Sequence, residues 1–371
     1  MVLTPKIAIF LQNLAGGGAE RMMLNLTNGI AERGINVTLV LSRAEGAYLA
    51  DVAQGVRVVD LGARRTLYSV PFLARYLRRE RPTALLSALV HVNVAAILAA
   101  RLARTKARIV ISERNTISRN AGSAASTFVR LAHRSVPWLY PLADGIVAVS
   151  QGVAKDLARF GRLPLDRIVA INNPVVIGSL ERQASEPVDH PWFAAGAPPV
   201  ILGVGRLTAV KDFATLLRVF AKVRRERTAK LMILGEGPER RALEALAQEL
   251  DLTQDVEMPG FVDNPYAVMA RAAVLVLSSR WEGSPNVLVE AMACGTQVVA
   301  TDCPGGPAEI LVNGRFGRLV PVGDSRRFAE AIKGALDDPV SAEQLRKRAG
   351  DFAVERSVSR YLNILLGETA N

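Results

Sequence analysis

Pro199-Val200-Ile201-Leu202-Gly203-Val204, the loop Gly205-Arg206-Leu207-Thr208-Ala209-Val210, the segment 211–226 and the run Ala229-Lys230-Leu231-Met232-Ile233-Leu234-Gly235 together decide how this chain is read. The first and last pieces are short apolar runs, and the piece between carries a helical pattern, so the order is strand, loop, helix, strand. Strands that are apolar throughout, rather than at alternate positions, belong to parallel sheets covered on both faces.

The same alternation runs outward in both directions. Strand-like runs stand at 6–12, 35–42, 56–60, 84–90, 107–112, 144–149 and 167–171, and again at 199–204, 229–235, 255–258, 273–277, 297–301 and 317–320. Helical patterns at 19–33, 68–80, 150–160, 211–226, 238–250 and 324–337 fill most of the gaps, which implies βαβ units. Between Asn173-Pro174 and Pro198-Pro199 the periodicity lapses, and this stretch reads as the linker. A length of 371 residues also suits about two domains. The expected fold is therefore α/β: two doubly wound, Rossmann-like parallel-sheet domains, with ligands beyond the carboxyl ends of the strands in the cleft between them. The expected boundaries are 1–175, 176–354 and a last segment, 355–371, whose apolar stripe of Tyr361, Leu362, Ile364 and Leu365 sends a helix back toward the first domain.

Two cysteines, Cys294 and Cys303, make no disulfide framework, and the N-terminal run Lys6–Gln12 is too short for a signal sequence, so a cytoplasmic chain is expected. The stretch from Pro82 to Ala100 is uncharged and of membrane length, but it holds Ser87, His91 and Asn93. A buried strand at 84–90 turning at His91 into a helix at 92–104 explains it better. Net charge is uneven: residues 1–180 carry 23 Lys and Arg against 10 Asp and Glu, net +13, whereas residues 181–371 are at −2. That surplus suits an anionic partner such as a lipid surface or a phosphorylated substrate, and a merely solvated basic face accounts for it as well. A nucleic-acid partner is not expected, because no reading helix or stacking platform accompanies the charge.

Three motifs carry chemistry. Gly16-Gly17-Gly18-Ala19-Glu20-Arg21 follows a strand and opens a helix, where backbone amides can meet an anion. Arg21 replaces the third glycine of a dinucleotide fingerprint and Leu41-Ser42-Arg43 lacks its acidic partner, which argues against a nicotinamide enzyme. At the end of the second domain's first strand, Arg206 and Lys211 can clamp a diphosphate, although taken alone such a pair is more often plain surface charge. Most specific is Trp281-Glu282-Gly283-Ser284-Pro285-Asn286-Val287-Leu288-Val289-Glu290-Ala291-Met292-Ala293-Cys294-Gly295. Here Ser284 reads as an N-cap, Pro285 as the first helical residue, and Glu282 and Glu290 bracket the helix start. Glu20 and Glu113 could also face the cleft but lack this context. No two aspartates are two apart, which removes the usual ligand pair for a divalent ion, and neither metal nor cofactor is expected.

Glu282 and Glu290 as an E-x7-E pair, Gly203–Leu207 with Lys211, Gly235-Glu236-Gly237-Pro238 and the Gly17 loop together resemble the retaining glycosyltransferases of family 4, which have the GT-B fold. The resemblance implies a transferase moving a hexose or N-acetylhexosamine from a nucleotide diphosphate sugar, with a UDP-linked donor expected, to a lipid-linked or polysaccharide acceptor. It also implies roles. Glu290 would hold the ribose and Glu282 the donor sugar. Arg206 and Lys211 would bind the diphosphate, the amides of Asn286, Val287 and Leu288 would line the sugar and phosphate site, and Phe261 would border the base. Gly17 would approach the phosphate, and His91 would stand near the sugar. The basic first domain would take the acceptor at the inner face of the membrane, through Tyr68–Arg79 or Phe128–Tyr140. An epimerase or binding protein of the same fold, and a transferase with a soluble acceptor, stay open at this point.

Overall fold

The computed structural model describes residues 5–15, 17–119 and 127–368. The chain forms two compact units, Met1–Val175 with Ala353–Asn371, and Val176–Phe352. The first holds a seven-stranded sheet of β1 (Lys6–Leu11), β2 (Asn36–Leu41), β3 (Arg57–Asp60), β4 (Ala84–Ala88), β5 (Arg108–Glu113), β6 (Gly145–Ala148) and β7 (Ile168–Ala170), in the order β3-β2-β1-β4-β5-β6-β7. The second holds β8 (Val200–Val204), β9 (Lys230–Leu234), β10 (Val256–Gly260), β11 (Val274–Leu277), β12 (Gln297–Thr301) and β13 (Arg318–Val320), in the order β10-β9-β8-β11-β12-β13. Every pairing is parallel, for example Ile7 against both Val37 and Ala84. Two Rossmann-like parallel-sheet units are thus what the strand runs implied. In each sheet the order reverses beside the first strand, at β1/β4 and at β8/β11, and such a reversal opens a crevice beyond the carboxyl ends of the strands.

Two local expectations need correction. The chain after β4 turns at Leu89, not at His91: Leu89 has φ 78° and its carbonyl accepts the amides of Val92 and Asn93 at 3.0 and 2.8 Å. The helix therefore begins at Val90 and puts His91 in its first turn. This helix, Val90–Ala103, is apolar nearly all round because it packs between the helices Val70–Glu80 and Thr127–Leu139. No helix among the described residues is long and apolar enough to cross a membrane. The second correction is in the linker, which contains the helix Ile177–Ala184. Asn264 Nδ2 and Arg271 Nη1 donate to the carbonyls of Gln183 and Ala184, so polar contacts to its last turn help hold it. At eight residues it is too short for its helical period to stand out in the sequence.

The helix Val354–Leu366 belongs to the first unit. Val354, Val358, Tyr361 and Leu365 are buried beneath it, against a core that includes Ile7, Ile9 and Leu26. Gly29 and Gly145 make room for it, since a Cβ at these positions would come within 2.9 Å of Val358 and 2.7 Å of Ile364. The Tyr361 hydroxyl lies 3.0 Å from Ser112 Oγ and accepts from Arg114 Nη1 at 3.2 Å, while Arg114 Nη2 donates to Asn173 Oδ1 at 2.7 Å. Arg114 is buried and its Nε already lacks a partner. Tyr361→Phe removes one more, so the first unit is expected to lose about 1–3 kcal/mol of stability, read as a lower urea midpoint for its transition. An unchanged midpoint would show that the hydroxyl contributes nothing.

Candidate functional site

In the second unit, the loops that carry the predicted residues all leave the carboxyl edge of the sheet. Those after β8, β9 and β10 are pressed together by glycine. A Cβ on Gly235 (φ 138°) would lie 2.1 Å from the Gly205 carbonyl oxygen, and one on Gly237 2.3 Å from that of Leu207. Backbone bonds from Gly205 to Leu234 and from Leu207 to Glu236, at 3.0 and 2.9 Å, complete the contact. Both glycine pairs are thus fixed by loop packing.

On the other side of β8, the loop reaching Lys211 is stitched to the segment after β11. Arg280 N donates to Val210 O at 2.8 Å, Ser278 Oγ to Lys211 O at 2.7 Å, and the Arg280 guanidinium pairs with Asp212 at 3.0 Å. These bonds bring Lys211 Nζ to 2.6 Å from Glu282 Oε1, which also accepts from Ser279 Oγ at 2.6 Å. The pair is mostly covered, with 24% of the lysine and 12% of the glutamate side chain exposed. The sequence placed these two residues in separate motifs, and no spacing rule links them. Arg206, by contrast, is exposed and forms no ion pair among the described residues. Burial, and next the charge of Glu282, push the Cys303 thiol up to about 12, and burial and then Glu290 do the same for Cys294. Neither is a nucleophile at neutral pH.

The helix after Glu282 runs Asn286–Cys294 with Pro285 as its N-cap, so Ser284 is not the cap. The Leu288 amide donates to Pro285 O at 3.1 Å, and of the three amides expected to line the site this one is already engaged. Glu290 is half-buried in the second turn, and Phe261, after β10, is 80% exposed.

In the first unit, Gly17 caps the helix Gly18–Glu32 in an extended conformation. The carboxylate of Glu20 folds back beside it, at 2.2 Å from where a Gly17 Cβ would be. An anion approaching Gly17 must first displace this carboxylate, which the pattern of glycines did not reveal. His91 Nε2 donates to Gln12 Oε1 at 2.7 Å, bridging the chain just beyond β1 and β4. Burial, and secondarily His133, lower its pKa, so it is neutral at pH 7.

One group was set aside in the sequence and stands out in the structure. Glu113, the last residue of β5, is 2% exposed, and both the Tyr140 hydroxyl and Asn93 Nδ2 (2.8 Å) donate to its Oε1. Asn93 is held in turn by Ser87 Oγ at 2.8 Å. Desolvation raises the Glu113 carboxyl to about 7 against these bonds. Ser87 and Asn93 are two of the polar residues that interrupt the apolar stretch 82–100, and that was the available signal.

Residues 16–178 match the family model described as Glycosyltransferase Family 4, and residues 189–352 the one described as Glycosyl transferases group 1. Over 365 residues the chain is 31% identical to the N-acetylgalactosamine-N,N'-diacetylbacillosaminyl-diphospho-undecaprenol 4-alpha-N-acetylgalactosaminyltransferase of Campylobacter jejuni, covering 95% of this chain and 94% of that one. It is 28% identical to the lipopolysaccharide core biosynthesis glycosyltransferase LpsE of Rhizobium meliloti, over 94% and 96% of the two chains. Among solved structures, Anabaena Alr3699/HepE in complex with UDP-glucose aligns with a TM-score of 0.79 at 21% identity, over 96% of this chain and 99% of that one. That likeness establishes the fold, GT-B.

The buried Glu113 makes a prediction about stability. An unfolded glutamate ionises near 4.5 and this one near 7, so its contribution is fully present below 4.5 and is lost as pH rises through 7. The loss is on the order of 3 kcal/mol. Glu113→Gln cannot ionise, and the difference between variant and wild type in urea midpoint should therefore swing in favour of the variant from pH 4.5 to pH 8. A difference that stays constant over this range would contradict the shift.

Proposed function

Because the chain belongs to the family 4, group 1 glycosyltransferases, we propose that it moves a hexose or N-acetylhexosamine from a UDP-sugar to a lipid-linked or polysaccharide acceptor, with retention at the anomeric carbon. The observation that carries this reading is the half-buried Lys211–Glu282 pair at the order reversal of the six-stranded sheet. As the bond from the anomeric carbon to the leaving phosphate oxygen breaks, its electron pair stays on that oxygen. Negative charge grows there, and fixed cations are worth most at that place. Arg206, Lys211 and the amides of Asn286 and Val287 supply the positive field. The acceptor oxygen bonds to the same face of the sugar, and its proton goes to the leaving phosphate. Glu282, held by Ser279 and Lys211, faces the sugar. Glu290 grips the ribose, and Phe261 covers the base. His91, neutral, orients the acceptor in the first unit. The UDP donor is supported by the Anabaena complex, and a polyprenyl diphosphate acceptor by the name of the Campylobacter relative.

The reading extends to the inner face of the membrane. Arg130, Leu131, Arg134 and Trp138 are exposed on one face of Thr127–Leu139, with Trp138 at 71%. Tyr68, Phe72, Arg75 and Arg79 form a second exposed group on and just before Val70–Glu80. Both helices flank Val90–Ala103. Cations interleaved with aromatics suit an anionic lipid surface. Arg78 is not part of this set, because it donates to Leu102 O at 2.6 Å.

Two measurements test these points. Glu290→Gln should weaken UDP binding about tenfold, whereas Glu282→Gln releases Lys211, so UDP should bind at least as tightly while kcat falls roughly 10²–10³-fold. Equal loss of UDP affinity in both variants would overturn the two roles. In cosedimentation, vesicles of phosphatidylglycerol and phosphatidylcholine should bind the protein at low salt and release it at high salt. Changing Arg75, Arg79, Arg130 and Arg134 to Glu should abolish binding, at about 1 kcal/mol for each lost cation. Binding indifferent to salt and to these changes would contradict the docking.

A further inference from the structure

Glu113 lines a pocket of about 240 Å³ at the carboxyl edge of the seven-stranded sheet, walled by Leu89, Val90, Ile117 and Val129, with His91 and Asn115 on its lining. Both donors to its carboxyl act on Oε1, and among the described residues none acts on Oε2. Nothing in the fold requires an ionisable group there, since an amide would satisfy Tyr140 and Asn93 through the same oxygen. The wall beside it is strained as well. Leu89 stands at φ 78°, ψ 140°, a region that essentially only glycine visits, at a cost of about 1–3 kcal/mol.

We propose that this pocket binds one sugar residue of the acceptor, with Glu113 Oε2 accepting a hydrogen bond from a ring hydroxyl. The inference rests on the transferase reading above and adds to it a specificity-determining residue. At about 240 Å³ the pocket falls below the ~300–1,000 Å³ of drug-sized sites, which suits a single ring rather than a chain or a nucleotide. Its mixed lining matches a pyranose, whose C–H faces are apolar and whose rim is hydroxylated. A buried carboxylate repels anions, so the phosphates of a lipid-linked acceptor lie outside it. Desolvation holds the Glu113 carboxyl up at about 7, against the Tyr140 hydroxyl and the Asn93 amide that donate to it and Arg114 next to it, which favour the ionised form, while Asp156 disfavours it. His91 and His133 face Glu113 across the pocket. His133 Nδ1 donates to Val129 O at 2.7 Å. The ionised carboxyl is the better acceptor, so affinity for the sugar rises with pH through 7.

The test is saturation-transfer NMR on the full chain with the methyl glycosides of N-acetylgalactosamine, galactose and glucose, at pH 6 and pH 8, with UDP affinity measured alongside. At least one glycoside should bind the wild type, and more tightly at pH 8. Glu113→Gln keeps the Oε1 bonds but turns Oε2 into an N–H donor, and should weaken that binding tenfold or more, remove its pH dependence and leave UDP affinity within twofold. Val129→Phe fills the pocket without touching Glu113 and should abolish the same binding, which keeps the test decisive if the first variant folds poorly. The proposal is overturned if no glycoside binds the wild type, or if either folded variant binds as the wild type does. A wild type that fails to bind UDP counts against the donor reading, and the glycoside result still decides this one.

Discussion

Parallel strands covered on both faces leave a sheet only its edges for polar chemistry, and everything functional in this protein follows from that constraint. In the six-stranded sheet, β8 to β12 are packed with Ile201, Leu231, Ile233, Val274, Val276 and Val299, and none of these positions can carry a charge. The charged residues of interest therefore gather on the loops after β8, β9 and β11. The order reverses between β8 and β11, and the Lys211–Glu282 pair lies where the loops after these two strands are stitched together. A cation and a carboxylate held together before any ligand arrives form a preorganised site. In the proposed function this lysine exchanges its carboxylate partner for a phosphate.

The seven-stranded sheet obeys the same rule with different contents. Its reversal at β1/β4 carries Gln12 and His91, joined at 2.7 Å, and one strand further on Glu113 closes β5. The second unit thus presents cations and amides suited to an anionic leaving group. The first presents a neutral imidazole and a carboxyl suited to hydroxyls. This division of chemistry matches the division of labour in a two-substrate transferase. Much of the surplus of basic residues in the first 180 positions is on the exterior, as exposed Arg75, Arg79, Arg130 and Arg134 show.

Most strand positions were legible because they are short apolar runs bounded by polar or glycine-rich segments and buried on both faces, whereas the edge strands β3 and β10 carry Arg57, Asp60 and Glu257 and are partly exposed. Helix Val90–Ala103 was legible for the opposite reason, since its polar residues ruled out a membrane span. The helix Ile177–Ala184 was not, because its eight residues are too few for a period to stand out, and its contacts with Asn264 and Arg271 come from far off in sequence. The same limit applies to the site. Motif spacing picks out Arg206, Lys211, Glu282 and Glu290 one at a time. The bond between Lys211 and Glu282, the occupation of the Gly17 hollow by Glu20 and the burial of Glu113 all depend on contacts across loops. Glu113 is the clearest case: an ordinary glutamate in a run of polar residues becomes, once β5 is seated between β4 and β6, a carboxyl cut off from water.

The central claim is that the Lys211–Glu282 pair receives the donor diphosphate, and a double-mutant cycle on UDP affinity addresses it directly. The four proteins are the wild type, Lys211→Met, Glu282→Gln and the double variant, each titrated with UDP by calorimetry. If the lysine trades its carboxylate for phosphate, Lys211→Met weakens UDP binding at least tenfold in the wild type and by a larger factor when Glu282 is already Gln, a coupling of the kind seen only between residues sharing a partner. If UDP affinity is indifferent to Lys211 in both backgrounds, the pair is a structural contact and the donor site lies elsewhere.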